Sequence, residues 1–218
     1  MRQSLVLRAA ASTSPAWVRA GVAMTTAPVI CIARRLPASA SGVEVVRTAD
    51  DDGIGQAVDH LVSLGHRDIV HIDGGRAPGA AERRRGYRTA IRRHGLACQI
   101  LPGGLTEEDG AAAAHALGNA SPRPTAVLAF NDQCAVGLLD VFLRSGIAVP
   151  GQVSVIGFDD SHLARLAHIN LTTVGQDIPR LADLAVVRAL ARLEGQNTPG
   201  RETVIAPHLV IRGTTAAP

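Results

Sequence analysis

Residues 153–160 read "VSVIGFDD", an apolar run that stops in two carboxylates, Asp159 and Asp160. A run apolar on successive positions, rather than on alternate ones, suits a strand covered on both faces, the condition of a parallel sheet packed between helices. Two acids directly after such a strand are either turn and cap residues or carboxylates aimed past the sheet edge. The flanking sequence decides between these.

Working outward, "APVICIA" (27–33), "GVEVVRT" (42–48), "RDIVHID" (67–73) and "PTAVLAF" (124–130) have the same character, and "SLVLRA" (4–9) repeats it at the start of the chain. Amphipathic stretches separate them. In "DDGIGQAVDHLVSLGH" (51–66), Ile54, Ala57, Val58, Leu61 and Leu64 share one helical face, Asp51 or Asp52 is placed to cap the start, and Gly65 can close the end in a left-handed turn. In "NDQCAVGLLDVFLRSG" (131–146), Ala135, Leu138, Leu139 and Phe142 form the stripe, Asn131 or Asp132 caps, and Gly146 terminates. "TEEDGAAAAHALG" and "IPRLADLAVVRALARLEG" repeat the arrangement. Strand–helix alternation of this kind is the rhythm of an α/β fold with parallel sheets flanked by helices.

Ligands in such folds sit beyond the carboxyl ends of the strands, where the following helices also present their positive N-termini. Asp159 lies at such an end, as do Asn131 after "AVLAF" and Asp52 after "VEVVRTA", and Arg83 sits just inside the helix that follows the loop "DGGRAPGAAE". These four residues are therefore expected on one edge. Asn131, Asp52 and Asp160 each have an equally good alternative as helix N-caps, worth about 1 kcal/mol. Arg83 has one as an exposed member of Arg83-Arg84-Arg85. Asp159 is hardest to explain as structure alone, because a charge at a buried strand end needs a partner.

Composition narrows the chemistry. The chain has 218 residues with 46% hydrophobic and 19% charged, a globular balance, and it contains no lysine: all 22 basic residues are arginine. That excludes a phosphate-loop lysine, a Schiff-base lysine and a Ser–Lys dyad. A formal charge of +3 with scattered arginines gives little support for direct nucleic-acid contact. Cys31, Cys98 and Cys134 are odd in number and unclustered, as in reduced thiols, and the eight histidines lack metal-ligand spacing; His71-x-Asp73 comes nearest, with too few ligands for a site. No apolar stretch reaches the roughly 20 residues of a membrane span, and Arg8 interrupts the start too early for a secretory signal. No cofactor or metal is implied, and a cytoplasmic location is expected.

The phrases "AVDHLVSLGHRDIVHIDG", "ERRRGYRTAIRRHGL", "RPTAVLAFNDQCAVGLL", "GIAVPGQVSVIGFDD", "NLTTVGQD" and "APHLVIRGTT" follow one another in the order seen in LacI/GalR-type bacterial transcription regulators, and the chain resembles that family over roughly residues 27 to 215. The resemblance implies a two-lobed, periplasmic-binding-protein-like (type I) fold with three crossovers and a small polar ligand, a sugar or related molecule, in the cleft. It implies an N-terminal lobe of residues 1–64 with 178–200, and a C-terminal lobe of residues 65–177 with 201–218, the last strand near Val204 to Ile211. Within it, Arg83 resembles the arginine that forks onto ligand hydroxyls or carboxylates, Asn131 a donor–acceptor for the ligand, and Asp159 the carboxylate that accepts two hydroxyls. Gln176 and Asp52 complete the ligand set, Asp52 from the other lobe, while Asp160 is left as a helix cap. Family members act as homodimers that bind operator DNA through a helix-turn-helix headpiece.

Three departures stand out. No headpiece of about 60 residues precedes the similar region, so operator binding would need a part this chain lacks. "SLVLRA" resembles the family's third strand, which implies a truncated first lobe with an unpaired strand edge. Leu105 stands where relatives often place an aromatic that stacks on a sugar ring, which leaves room for a nucleoside, a polyol or an acid. Two other functions compete with the sensor. A solute-binding protein of a transporter would share the fold but should carry an export signal. An enzyme would need more than "FDDSH", whose adjacent Asp160, Ser161 and His162 cannot form a nucleophile–base–orienter geometry on one turn.

Overall fold

The computed structural model describes residues 29–32, 43–120, 122–196 and 200–218. They form two compact units, one from residues up to Ala49 with Asp177–Ile205 and one from Asp50–Gln176 with Ala206–Pro218, the chain passing between them three times. The expected strand "SLVLRA" lies outside the described residues. No helix among those described is long and apolar enough to cross a membrane.

The larger unit is built on a six-stranded sheet. In chain order its elements are α1 (Asp50–Ser63), β3 (Ile69–Asp73), α2 (Ala80–Arg93), β4 (Gln99–Pro102), α3 (Glu107–Gly118), β5 (Ala126–Leu128), α4 (Asp132–Arg144), β6 (Ser154–Asp159), β7 (Thr172–Gly175) and β9 (His208–Val210). The spatial order is β4-β3-β5-β6-β7-β9, parallel throughout except for β9 against β7. Successive strand residues point to opposite faces, and both faces are covered. Ile69, Ala126, Leu128, Ile156 and Phe158 pack with Ile54, Val58 and Leu61 of α1 and with Tyr87 and Ile91 of α2. Val70, Ile72, Val127 and Val155 pack on the other side with Ala113 and Leu117 of α3 and Leu138 and Phe142 of α4. That double burial is the reason apolar residues fall on successive positions, as at Ile69–Val70 and Val155–Ile156.

Helix ends follow local chemistry. Thr106 accepts from the Asp109 amide while Asp109 reaches back to the Thr106 amide, a capping box that opens α3. Gly65, at φ 108°, closes α1, with the His66 amide returning to the Leu61 carbonyl. At the start of α1 the expectation needs correction. The helix begins at Asp50, so Asp51 and Asp52 lie within its first turn rather than before it.

The smaller unit holds a parallel sheet of order β1-β2-β8, from β1 (Val29–Ile32), β2 (Val43–Thr48) and β8 (Glu202–Ile205), with α5 (Ile178–Leu193) against it through Leu181 and Ala185 on Val46 and Ile205. Two expected boundaries move. Helix α1 belongs to the larger unit, because Ile54, Ala57, Val58 and Leu61 bury themselves on its sheet. The single strand expected near Val204 to Ile211 is two strands, β8 in the small sheet and β9 in the large one, separated by Ala206-Pro207. Pro207 has no backbone N–H for a ladder, which suits the break.

Candidate functional site

Because β3, β5, β6 and β7 run parallel, their carboxyl ends share one edge of the large sheet. Asp73 is the last residue of β3, Asp159 the last of β6 and directly opposite Gly175, and Gln176 follows β7. Phe130, Asn131 and Asp132 follow β5 at the start of α4. Helix α2 brings Arg83 over this edge from one side, and the N-terminus of α1 brings Asp50.

Arg83 is the centre of the cluster. It is only 5% exposed, which removes its alternative as a solvated helix arginine. Its Nε donates to Asp50 Oδ1 at 3.0 Å, Nη1 to the Phe130 carbonyl at 2.5 Å, and Nη2 reaches Asp159 Oδ1 at 3.5 Å. The guanidinium lies 3.6 Å from the centre of the Phe158 ring and 4.5 Å from that of Phe130, so two aromatic faces flatten it in place. A guanidinium has five N–H groups. Three are committed, and one proton remains on each terminal nitrogen.

Asp159 faces it from β6. Its Oδ1 also accepts from Gln176 Nε2 at 2.6 Å, while Oδ2 has no protein partner among the described residues. The side chain is about one-third exposed. Its backbone sits at φ 113°, a region that L-residues with side chains rarely adopt and that costs on the order of 1–3 kcal/mol. Burial pushes the Asp159 carboxyl above its ordinary value against the pull of Arg83 and the Gln176 bond, and burial does the same to Asp50.

The expected residues separate into those this edge brings together and those it does not. Arg83, Asp159 and Gln176 form one bonded chain. Asn131 adjoins it through Phe130 but also serves as the α4 cap, its Oδ1 accepting from the Cys134 amide at 2.9 Å and its Nδ2 donating to the Leu105 carbonyl at 3.0 Å. Asp52 is not among them. It is exposed and, with Asp51, Asp59, Arg85 and Arg93, lines a separate trough of about 420 Å³ between α1 and α2. The acid that α1 gives to Arg83 is Asp50, two residues earlier and therefore turned to a different helical face.

Asp160 caps no helix, contrary to expectation, since residues 161–169 hold no helix. Its Oδ1 accepts from Arg212 Nη2 at 2.6 Å and its Oδ2 from Arg165 Nη2 at 2.8 Å, an ion triad. Burial opposes ionisation there, but the two arginines hold the carboxyl below its usual value. The two acids that end β6 thus do different work.

Two site residues escaped the sequence. Asp50 was hidden in a run of three acids, any of which could have faced Arg83. Asp132 was visible only as a cap beside Asn131. It is 1% exposed, accepts from Thr173 Oγ1 and from the Ser161 amide, both at 2.6 Å, and burial raises its carboxyl to about 6. At the β3 end, Arg84 pairs with Asp73 Oδ2, while Asp73 Oδ1 and His71 Nε2 are buried acceptors without a partner among the described residues. Among the described residues no group of three metal-ligating side chains gathers.

A family profile described as "Periplasmic binding protein-like domain" matches residues 58–215. A LacI transcriptional regulator from a Rhodococcus species is 48% identical, with a TM-score of 0.81 over 87% of this chain and 70% of that one. A complex of the transcriptional regulator CelR with cellobiose is 30% identical, with a TM-score of 0.79 over 85% of this chain and 58% of that one. The HTH-type transcriptional repressor PurR of Vibrio campbellii is 31% identical over 82% of this chain and 54% of its own length. The chain spans about half the length of the curated relatives it matches. On this profile and these relatives, the chain belongs to the LacI/GalR family of transcriptional regulators and carries its periplasmic-binding-protein-like effector domain.

Proposed function

We propose that this chain is the effector-sensing part of a DNA-binding transcription regulator, and that it grips a small hydroxylated molecule at the sheet edge through Arg83, Asp159, Gln176 and Asn131. One observation carries this. Asp159 is held in a rare backbone conformation, with one carboxylate oxygen fixed by Gln176 and Arg83 and the other free to accept. A merely structural acid would resemble its neighbour Asp160, with both oxygens bound to arginines. Arg83 adds unspent donors beside that free acceptor, and hydroxyl groups need both.

Binding changes the output only through differential affinity for two conformations of the protein. The proposed regulator is a cytoplasmic homodimer whose operator contacts come from a separate headpiece, and it has no catalytic activity. Relatives named as regulators and repressors favour this over a transporter component, although the fold alone would serve both.

A thermal-shift screen of sugars, polyols and nucleosides tests the proposal. A ligand present at 100 times its dissociation constant stabilises the fold by about 2.7 kcal/mol. At least one compound should raise the melting temperature of the wild type and leave Asp159→Ala and Arg83→Ala unmoved. Equal shifts in all three proteins would overturn the assignment.

A further inference from the structure

The Arg83 guanidinium is not a surplus charge. Asp50 accepts from its Nε at 3.0 Å with both side chains nearly fully buried, and Asp159 lies on its other side. Asp132, buried at the start of α4, is close enough for Asp159 to disfavour its ionisation. Asp50 and Asp159 therefore flank one cation, with Asp132 near Asp159 and the buried Glu82 near Asp50. The amino ends of α1, α2 and α4 supply about half a positive charge each, but Asp50, Glu82 and Asp132 already occupy those first turns. Even with the helix ends credited in full, the cluster keeps a net negative sign.

From this charge count, on the sensing function proposed above, we propose that Asp50 sets the ligand class: it holds Arg83 as an internal ion pair, so the site admits hydroxylated ligands that are neutral or carry an ammonium group and rejects those that carry a carboxylate or phosphate. Arg83 then works as a planar donor through its two unspent N–H groups rather than as a counter-ion. Asp159 Oδ2 is an acceptor that a ligand hydroxyl or ammonium satisfies and a ligand anion repels. Between the two partners an arginine of this kind can take, hydroxyls or an acid, Asp50 selects hydroxyls.

The geometry also says how the preference would be relaxed. Asp50→Asn keeps an acceptor oxygen for the Arg83 Nε–H and removes one negative charge, which frees the guanidinium to act as a cation.

The test uses the full chain and matched probes: glucose, galactose, ribose and cellobiose, the uronate or terminal phosphate of each monosaccharide, and the 2-amino hexoses. Thermal shift and calorimetry are run on wild type and on Asp50→Asn. The wild type should bind its best neutral or amino probe at least about tenfold more tightly than the acidic counterpart, and Asp50→Asn should narrow that ratio about tenfold or more. An acidic probe that binds the wild type as tightly as its neutral parent overturns the inference and leaves the sensing function standing. An Asp50→Asn protein that folds and keeps the wild-type ratio overturns the role of Asp50. No stabilisation by any probe of any class counts against the sensing function, and the inference falls with it. The wild-type ratio needs no variant, so a variant that fails to fold does not spoil the test.

Discussion

Arg83 and Asp50 meet at 3.0 Å with side chains 6% and 5% exposed, one from the first turn of α2 and the other from the first residue of α1. Removing one partner of a buried pair strands the other, at about 3–5 kcal/mol in general. Here the Phe130 carbonyl and two aromatic faces still hold the guanidinium. Asp50→Ala should therefore lose about 3 kcal/mol in urea unfolding, the low end of that range, and Asp50→Asn clearly less. A loss below about 0.5 kcal/mol for Asp50→Ala would show that the pair does not bear on stability.

His71 and Asp132 should oppose each other in the pH dependence of stability. Burial lowers His71 to about 4, and its Nδ1 bond to the Leu128 carbonyl only partly offsets that. The unfolded chain then binds the extra proton first, so this group's contribution is complete above about pH 6.5 and is lost as pH falls toward 4. Asp132 is raised from 3.8 to about 6, so its contribution is complete at low pH and is lost as pH rises through 6. Each is worth about 3 kcal/mol at 1.36 kcal/mol per unit. His71→Phe removes one of the two. Between pH 7.5 and pH 4.5 its stability relative to wild type should improve by about 2–3 kcal/mol in denaturant titrations, and a constant difference would contradict the assignment.

Alanine at two helical glycines should act with opposite signs. A Cβ at Gly137 would overlap the Glu107 carbonyl where α4 crosses α3, whereas one at Gly55 in α1 meets nothing within 4 Å. Gly137→Ala should destabilise by about 2 kcal/mol through overpacking. Gly55→Ala should stabilise by about 0.5–1 kcal/mol, the usual gain over glycine within a helix. Circular-dichroism melts of both variants check this, and loss in both would mean that α1 is more crowded than described.

The parts of the fold legible in the sequence are those fixed by local chemistry. The strands β3, β5 and β6 showed themselves because burial on both faces leaves apolar residues on successive positions. The ends of α1 and α4 showed themselves because Gly65 and Gly146 sit just past the last apolar position. Strand β4, "QILP", stayed hidden because it is an edge strand, short and half-exposed, and the residues that pair with it are far away in sequence. The site divided along the same line. Arg83 and Asp159 were legible because each sits at a fixed distance from an element boundary. Which of Asp50, Asp51 and Asp52 faces Arg83 depends on where helix α1 begins, a matter of one or two residues that repeated acids conceal.

The most direct test compares the two neighbouring acids at the end of β6. Once a ligand is identified, isothermal titration calorimetry should be run on wild type, Asp159→Asn and Asp160→Asn. Asp159→Asn should weaken binding by at least about tenfold, the effect of losing one charge-assisted hydrogen bond worth about 1.5–3 kcal/mol. Asp160→Asn, which alters the carboxylate bound to Arg165 and Arg212, should lower the melting temperature and bind within about twofold of wild type. Full affinity in Asp159→Asn, or equal losses in both variants, would contradict the claim that Asp159 is the carboxylate that receives the ligand.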